Sequence, residues 1–243
     1  MLRIVENDSI LTMSDYCRDD PYGCRIMATY NTYGLGNDFA QFWLQLDDSG
    51  KVTAVVGSLD NGLTVCAKGD YDHEEIDAFV SMLAGHNGAL RPVRKGETAD
   101  GLMMRLDRSA LPPSSEEVDL APPVEDLYSV MERCPGLGFN VPAFEPFYVD
   151  MMRRTKAGTA MSAVLRRDII PVSCAAVHLA SNVALLTTCA TIPSCQGEGC
   201  GASCCRALIN RIDPATEVYV FCLPGYCGYY EKMGFRIAGG FVY

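Results

Sequence analysis

The sequence is short of positive charge, of long apolar runs and of paired metal-ligand motifs, and each shortage removes a class of function. Lys and Arg number 20 against 30 Asp and Glu, a formal net charge of −10, which argues against a nucleic-acid partner. Residues 1–110 hold ten basic and seventeen acidic side chains and the remainder ten and thirteen. Most of the acidity is therefore N-terminal, where it would draw in a cationic amine or simply keep the chain in solution. Met1 to Leu11 contains Arg3, Glu6 and Asp8 and no continuous apolar stretch, so no secretory signal is expected. Only Ile169 to Pro193 is long enough and free enough of Asp, Glu, Lys and Arg to suggest a membrane span. It is interrupted by Pro171, Ser173, Ser181, Asn182 and the Thr187-Thr188 pair, and Ser181-Asn182 divides it into two strand-length pieces. Two buried neighbouring strands are the better reading, with no membrane partner and a cytoplasmic location as the expectation.

Twelve cysteines are present, eight of them between Cys174 and Cys227, yet no C-x-x-C pair and no matching His cluster accompanies them. Cys195, Cys200, Cys204 and Cys205 form C-x4-C-x3-C-C, loosely similar to iron–sulfur spacing. A helical phase through this stretch puts Cys204, Cys205, Leu208, Ile209 and Ile212 on one face and Arg206, Asn210 and Arg211 on the other. The thiols then read as small, reduced core residues, and no metal is expected.

The most informative segment is Thr187 to Arg211, where glycines stand between an apolar strand and that amphipathic helix. Its centre is Gln196-x-x-Gly199-x-Gly201. A helix starting just behind glycines offers unpaired N–H groups and the positive end of its dipole to an anion such as a pyrophosphate. No Lys-Ser or Lys-Thr pair follows, which removes the P-loop reading, and the spacing is not G-x-G-x-x-G.

Here the chain resembles the GNAT superfamily of acyl-CoA-dependent N-acetyltransferases. Its best-known motif, Q/R-x-x-G-x-G/A between a strand and a helix, is filled by Gln196, Gly199 and Gly201, and Tyr229-Tyr230-Glu231-Lys232-Met233-Gly234-Phe235 is similar to the family's F-Y-E-K-L-G-F some thirty residues later. The resemblance covers roughly Val124 to Tyr243. It implies an α/β (α+β) fold, a mixed, mostly antiparallel central sheet flanked by helices, and acetyl-CoA as cosubstrate. It further implies that the main chain of Ala190, Thr191 and Ile192 binds the pantetheine arm and thioester, and that the loop of Gln196, Gly197, Glu198, Gly199, Cys200, Gly201 and Ala202 holds the pyrophosphate. Tyr230 aligns with the tyrosine that serves the departing sulfur, while Tyr229 occupies a position that faces the core, with helix phase allowing only one of the two at the sulfur. Gln196 stands where Arg is more usual, and Leu223 where an Asn commonly ends the fifth strand.

The organisation follows from periodicity and breakers. Val124, Leu127, Tyr128 and Met131 make one helical stripe, stopped at Cys134-Pro135-Gly136; Phe144, Phe147, Tyr148, Met151 and Met152 make a second, ended by Gly158. Strands are expected near residues 160–167, 172–180, 183–192, 217–222 and 235–243, with a short helix at 226–233. N-terminally, residues 39–46, 52–59 and 63–67 read as strands joined by Asp48-Ser49-Gly50 and Asp60-Asn61-Gly62. Asp72-x-x-Glu75 then opens a helix that Gly85 ends. This smaller unit resembles a degenerate half of the same fold without a phosphate loop, so it is not expected to bind CoA. The division is residues 1–110, a Pro/Ser-rich linker at 111–123 containing Ser114-Ser115, and an acetyltransferase domain at 124–243.

The expected activity is acetyl transfer to a small-molecule or peptide amine by direct attack, with a homodimer allowed. The alternatives are an acyl-CoA-binding module without catalysis and a metal or redox protein built on the Cys cluster. No acid lies on the strand 183–192, so the base is open among Thr187, Thr188, Glu145, His178 and an amine that arrives deprotonated.

Overall fold

Short turns with left-handed residues fold two successive stretches of chain into antiparallel meanders. In the computed structural model, which describes residues 1–84, 88–113, 116–134 and 141–243, Gly50 and Asp60 have φ of 84° and 49°. Those turns let β2 (Ala40–Leu46), β3 (Val52–Leu59) and β4 (Gly62–Ala67) pair in sequence. Asp168 at φ 56° and Ser181-Asn182 at 53° and 66° do the same for β7 (Ala160–Arg167), β8 (Ile170–Ala180) and β9 (Val183–Thr191). Two consecutive positive φ values are what a tight hairpin with right-handed twist requires, and Asn tolerates them well. The apolar stretch at 169–193 is therefore a β-hairpin, and no helix among the described residues is long and apolar enough to cross a membrane.

The two meanders sit in similar element orders, the second gaining a helix before its last strand. The first is preceded by β1 (Leu2–Ile4), α1 (Ile10–Cys17) and α2 (Pro21–Tyr33), and followed by α3 (His73–Ala84), β5 (Ala89–Pro92) and β6 (Gly101–Leu106). The second is preceded by α4 (Val124–Glu132) and α5 (Phe144–Ala157), and followed by α6 (Cys200–Ile209), β10 (Glu217–Cys222), α7 (Cys227–Glu231) and β11 (Phe235–Val242). The role of β1 is reduced in the second unit to one bridge between Asp119 and Val164. Ser114-Ser115, Gly85 and Pro135-Gly136, expected as linker and helix stops, lie outside the described residues.

The two units share one eleven-stranded sheet, ordered β1-β2-β3-β4-β5-β11-β6-β10-β9-β8-β7. Each unit's last strand lies against the other's parallel strand: β6 pairs with β10, and β11 with β5, while β6 and β11 pair with each other. Gly101 permits this interleaving, because a Cβ there would stand 2.1 Å from the Phe241 ring. Separating the two units would therefore break the sheet rather than a linker.

Packing explains both the matches and the gaps in the sequence reading. The face of α6 buries Cys204, Cys205, Leu208 and Ile209 against β7, β8 and β10, while α4 and α5 cover the opposite face through Val124, Leu127, Met131 and Met151. The helix α2 left no periodic signal because it is buried on several sides, with Tyr22, Cys24, Ile26, Met27 and Ala28 all enclosed. Asp20 caps it by accepting from Gly23 N at 2.8 Å, and Pro21 occupies its first turn. It lies across the seam: Cys24 donates to Val183 O at 3.3 Å and Thr32 Oγ1 meets Thr159 Oγ1 at 2.6 Å. The twelve cysteines are free thiols, and no group of His, Cys, Asp or Glu arranged to hold a metal ion occurs among the described residues.

Candidate active site

A split between two parallel strands organises the site. β9 and β10 pair only from Val183–Glu217 to Leu186–Val220. Beyond Leu186, β9 stays with β8, from Thr188–Ala176 to Thr191–Ser173, after an irregularity that skips Thr187. The far half of β9 thus leaves β10, and main-chain groups on that side lose their strand partner. Phase is fixed by Ile192 N, which donates to Val172 O at 3.0 Å; by alternation Ala190 also faces β8, whereas Cys189 and Thr191 face the gap. Ser173 Oγ donates to Ala190 O at 3.0 Å, and Gln196 Nε2 takes Thr191 O at 3.1 Å. Of the three residues expected to offer free main-chain groups, Ile192 is engaged and does not line the cleft, and Ala190 lines it while its carbonyl is spent on β8 and Ser173. Cys189, which sequence reasoning passed over, presents its main chain to the opening.

The split widens into a cleft of about 610 Å³ lined on one lip by Thr187, Cys189, Ala190 and Thr191 and on the other by Phe221, Cys222 and Leu223. Gln196, Gly197, Gly199, Cys200, Gly201 and Ala202 close one end. Glu198 is exposed and outside this lining. Gly197 and Gly199 both have φ of +84° with open space at the Cβ position, so backbone conformation demands glycine there. Gly201 is needed for a different reason: a Cβ would stand 2.8 Å from Tyr229 Oη and 3.0 Å from Thr191 Oγ1, so it lets α6 approach β9. The first bond into α6 runs from Ser203 N to Gly199 O at 2.9 Å. The amides of residues 197–202 have no backbone acceptor among the described bonds, and α6 has neither a side-chain cap nor an acid in its first turn. Its N-terminus is an open, positively polarised donor set. Arg206 and Lys232 also line the cleft. Arg206 Nη2 donates to Ser203 Oγ at 3.2 Å, whereas its buried Nε has no acceptor.

Two phenols and two thiols meet at the cleft wall. Tyr229 Oη lies 3.5 Å from Cys189 Sγ, which is 3.6 Å from Cys205 Sγ. The Tyr229 and Tyr230 rings meet edge to face at 5.0 Å, and Tyr230, 8 % exposed, packs against Phe235 at 5.6 Å. Both tyrosines line the cleft. α7 spans five residues and ends immediately, so neighbouring side chains reach the same wall. Burial first, then repulsion from the neighbouring Cys189 and Cys205 sulfurs, pushes both phenols well above their usual range. Both hold their protons firmly and act as donors. A hydrogen bond from Cys205, joined by those of the two tyrosines, outweighs burial and pulls the Cys189 thiol below its ordinary value.

The base candidates separate. Thr187 lines the cleft with Oγ1 3.5 Å from Ala176 O. Glu145 is exposed on α5, and His178 sits in another cavity. No Asp, Glu or His among the described residues lines the cleft. Arg206 was assigned to the solvent face; its position one turn beyond Ala202 was the available signal. Nothing in the sequence marked Cys189, because its role depends on where β9 leaves β10.

This arrangement of meander, split parallel strands and glycine turn is the GNAT fold. Solved structures agree with it along the whole chain. A tandem GNAT protein from the clavulanic acid biosynthesis pathway, in a structure without AcCoA, superposes with a TM-score of 0.60 at 10% identity, over 100% of this chain and 97% of that one. A GCN5-related N-acetyltransferase from Sphaerobacter thermophilus gives 0.59 at 12% identity, over 100% and 93%. Another from Kribbella flavida gives 0.53 at 14%, over 78% and 85%. No protein-family model matches the sequence, and no curated protein does. At these identities the likeness is one of fold.

Proposed function

We propose that the chain transfers an acetyl group from acetyl-CoA to a primary amine by direct attack. The observation that carries this is the junction of two open features: β9 leaves β10 after Leu186, and the gap runs to the uncapped start of α6. The residues present fit the cosubstrate. The amides of residues 197–202, without a backbone acceptor among the described bonds, suit a pyrophosphate, Arg206 and Lys232 add charge to the same cleft, and main-chain groups of Cys189 suit an extended amide-bearing arm. Bound there, acetyl-CoA would supply the activated acyl group as a thioester.

The chain's own contribution is positioning and proton supply. Donors on the split strand would polarise a carbonyl oxygen held against them. Tyr230 Oη keeps a proton at the cleft wall, where a departing thiolate needs one, and no covalent enzyme intermediate is required. Tyr230→Phe should lower kcat about 100-fold, within the range for a lost general acid, with KM for acetyl-CoA little changed. Thiol release over an amine panel measures this; an unchanged kcat would remove Tyr230 from the chemistry.

A second reading is an acyl-CoA-binding module without catalysis. It is favoured by one observation, the lack of any carboxylate or imidazole among the described cleft-lining residues. Acetyl-CoA binding without turnover of any amine would select it.

A further inference from the structure

A second cavity, of about 160 Å³, lies at the seam between the two units, away from the cleft. Its walls come from α2 (Arg25, Thr29), the N-terminal meander (Thr64), α5 (Asp150, Arg154) and β8 (His178). Arg154 is 2 % exposed. Its Nε donates to both carboxylate oxygens of Asp150, at 2.9 and 2.8 Å, and its Nη2 to Thr29 Oγ1 at 3.3 Å. Arg154 Nη1 is buried without an acceptor, and so is His178 Nδ1 without any partner. Asp150, the one acid in the lining, also accepts from Tyr33 Oη. No hydrogen bond joins Arg25 to a carboxylate among the described residues.

The charges do not balance. Two arginines line the cavity with a single carboxylate, Asp150, whose oxygens already accept from Arg154 and Tyr33. Leaving a buried polar atom unpaired costs about 1–3 kcal/mol, and more when it is charged. Water would satisfy the orphaned atoms but would not offset the second positive charge. The space equals that of about five waters, enough for a group of four or five heavy atoms and too small for a nucleotide.

We propose that this seam cavity binds a small oxyanion, a carboxylate or phosphate group, through Arg25, Arg154 Nη1 and His178 Nδ1. The site requires both units, because Arg25 comes from the first and Arg154 and His178 from the second. It does not depend on the acetyl-transfer reading.

The test is calorimetric titration and thermal unfolding with sodium acetate and, separately, inorganic phosphate, at constant ionic strength made up with chloride, first without and then with added CoA. Saturable binding of either anion is expected, and the tighter of the two identifies the carboxylate or the phosphate as the source. Arg25→Gln should weaken that anion at least tenfold while its circular dichroism spectrum stays that of wild type, which reports an intact fold. His178→Gln should weaken it less. The proposal is overturned if neither anion stabilises the protein beyond the chloride control, if Arg25→Gln binds as tightly as wild type, or if CoA displaces the anion.

Discussion

The two units carry the same strand-to-helix junction, and one is closed where the other is open. After β4, the chain enters α3 through Asp72, whose carboxylate accepts from Glu75 N at 3.0 Å, with Glu74 and Glu75 in the first turn. After β9, it enters α6 through Gly199, with no side-chain cap and no acid behind it. β4 also separates from β5 after two paired positions, as β9 does from β10. The end of β4 is tied down on its other side and face: Tyr16 Oη accepts from Lys68 N at 2.9 Å and donates to Thr53 O of β3, and Cys66 Sγ reaches Asp20 Oδ1 at 3.3 Å. One scaffold thus spends its helix dipole on its own acids, and the other leaves it uncapped.

Charge reversal should expose that difference most strongly. Arg206→Glu, beside the open turn, should weaken acetyl-CoA about 10- to 100-fold, the size of a lost charge-assisted contact. Lys68→Glu, at the closed junction, should leave the affinity unchanged. Equal effects measured by titration would mean that the junctions are not distinct. Asp72→Ala removes a cap worth about 1 kcal/mol and should lower Tm by about 2–4 °C without altering acetyl-CoA affinity. A loss of affinity would show that the first unit contributes to the cleft.

The smallest effect concerns the seam. Burial first, then Arg154 and Arg25, hold the His178 imidazole well below its ordinary range. An unfolded chain takes up this proton near pH 6.5 and the folded one does not, so the associated stability is complete above that pH and is lost as pH falls below it. His178→Gln should therefore lose less stability than wild type between pH 7 and pH 5. Parallel denaturation midpoints for the two proteins would contradict the assignment.

Legibility in the sequence followed local chemistry. The second meander, α6 and the glycine turn were readable because strand alternation, Ser181-Asn182 and Gln196-x-x-Gly199-x-Gly201 are local signals. By contrast, α1 and α2 were not, since α2 is buried on several sides and shows no polar face. The short strands β5 and β6 acquire their status largely by pairing with β11 and β10, 100 or more residues away in sequence. In the site, Tyr230 and most of the glycine turn were named, whereas Ile192 and Cys189 exchange places because strand phase depends on the bond from Ile192 N to Val172 O. Arg206 was missed because a helical wheel takes the cleft side of α6 for solvent.

The most direct measurement is calorimetric titration of reduced wild-type protein and Gly199→Glu with acetyl-CoA. Gly199 has φ of +84° and open space around it, so the substitution adds strain of about 1–2 kcal/mol and a carboxylate at the uncapped helix start. Micromolar binding by wild type and a loss of at least 100-fold in the variant are predicted. A folded wild type that does not bind, or a variant that binds equally well, would contradict the open junction as the acyl-CoA site.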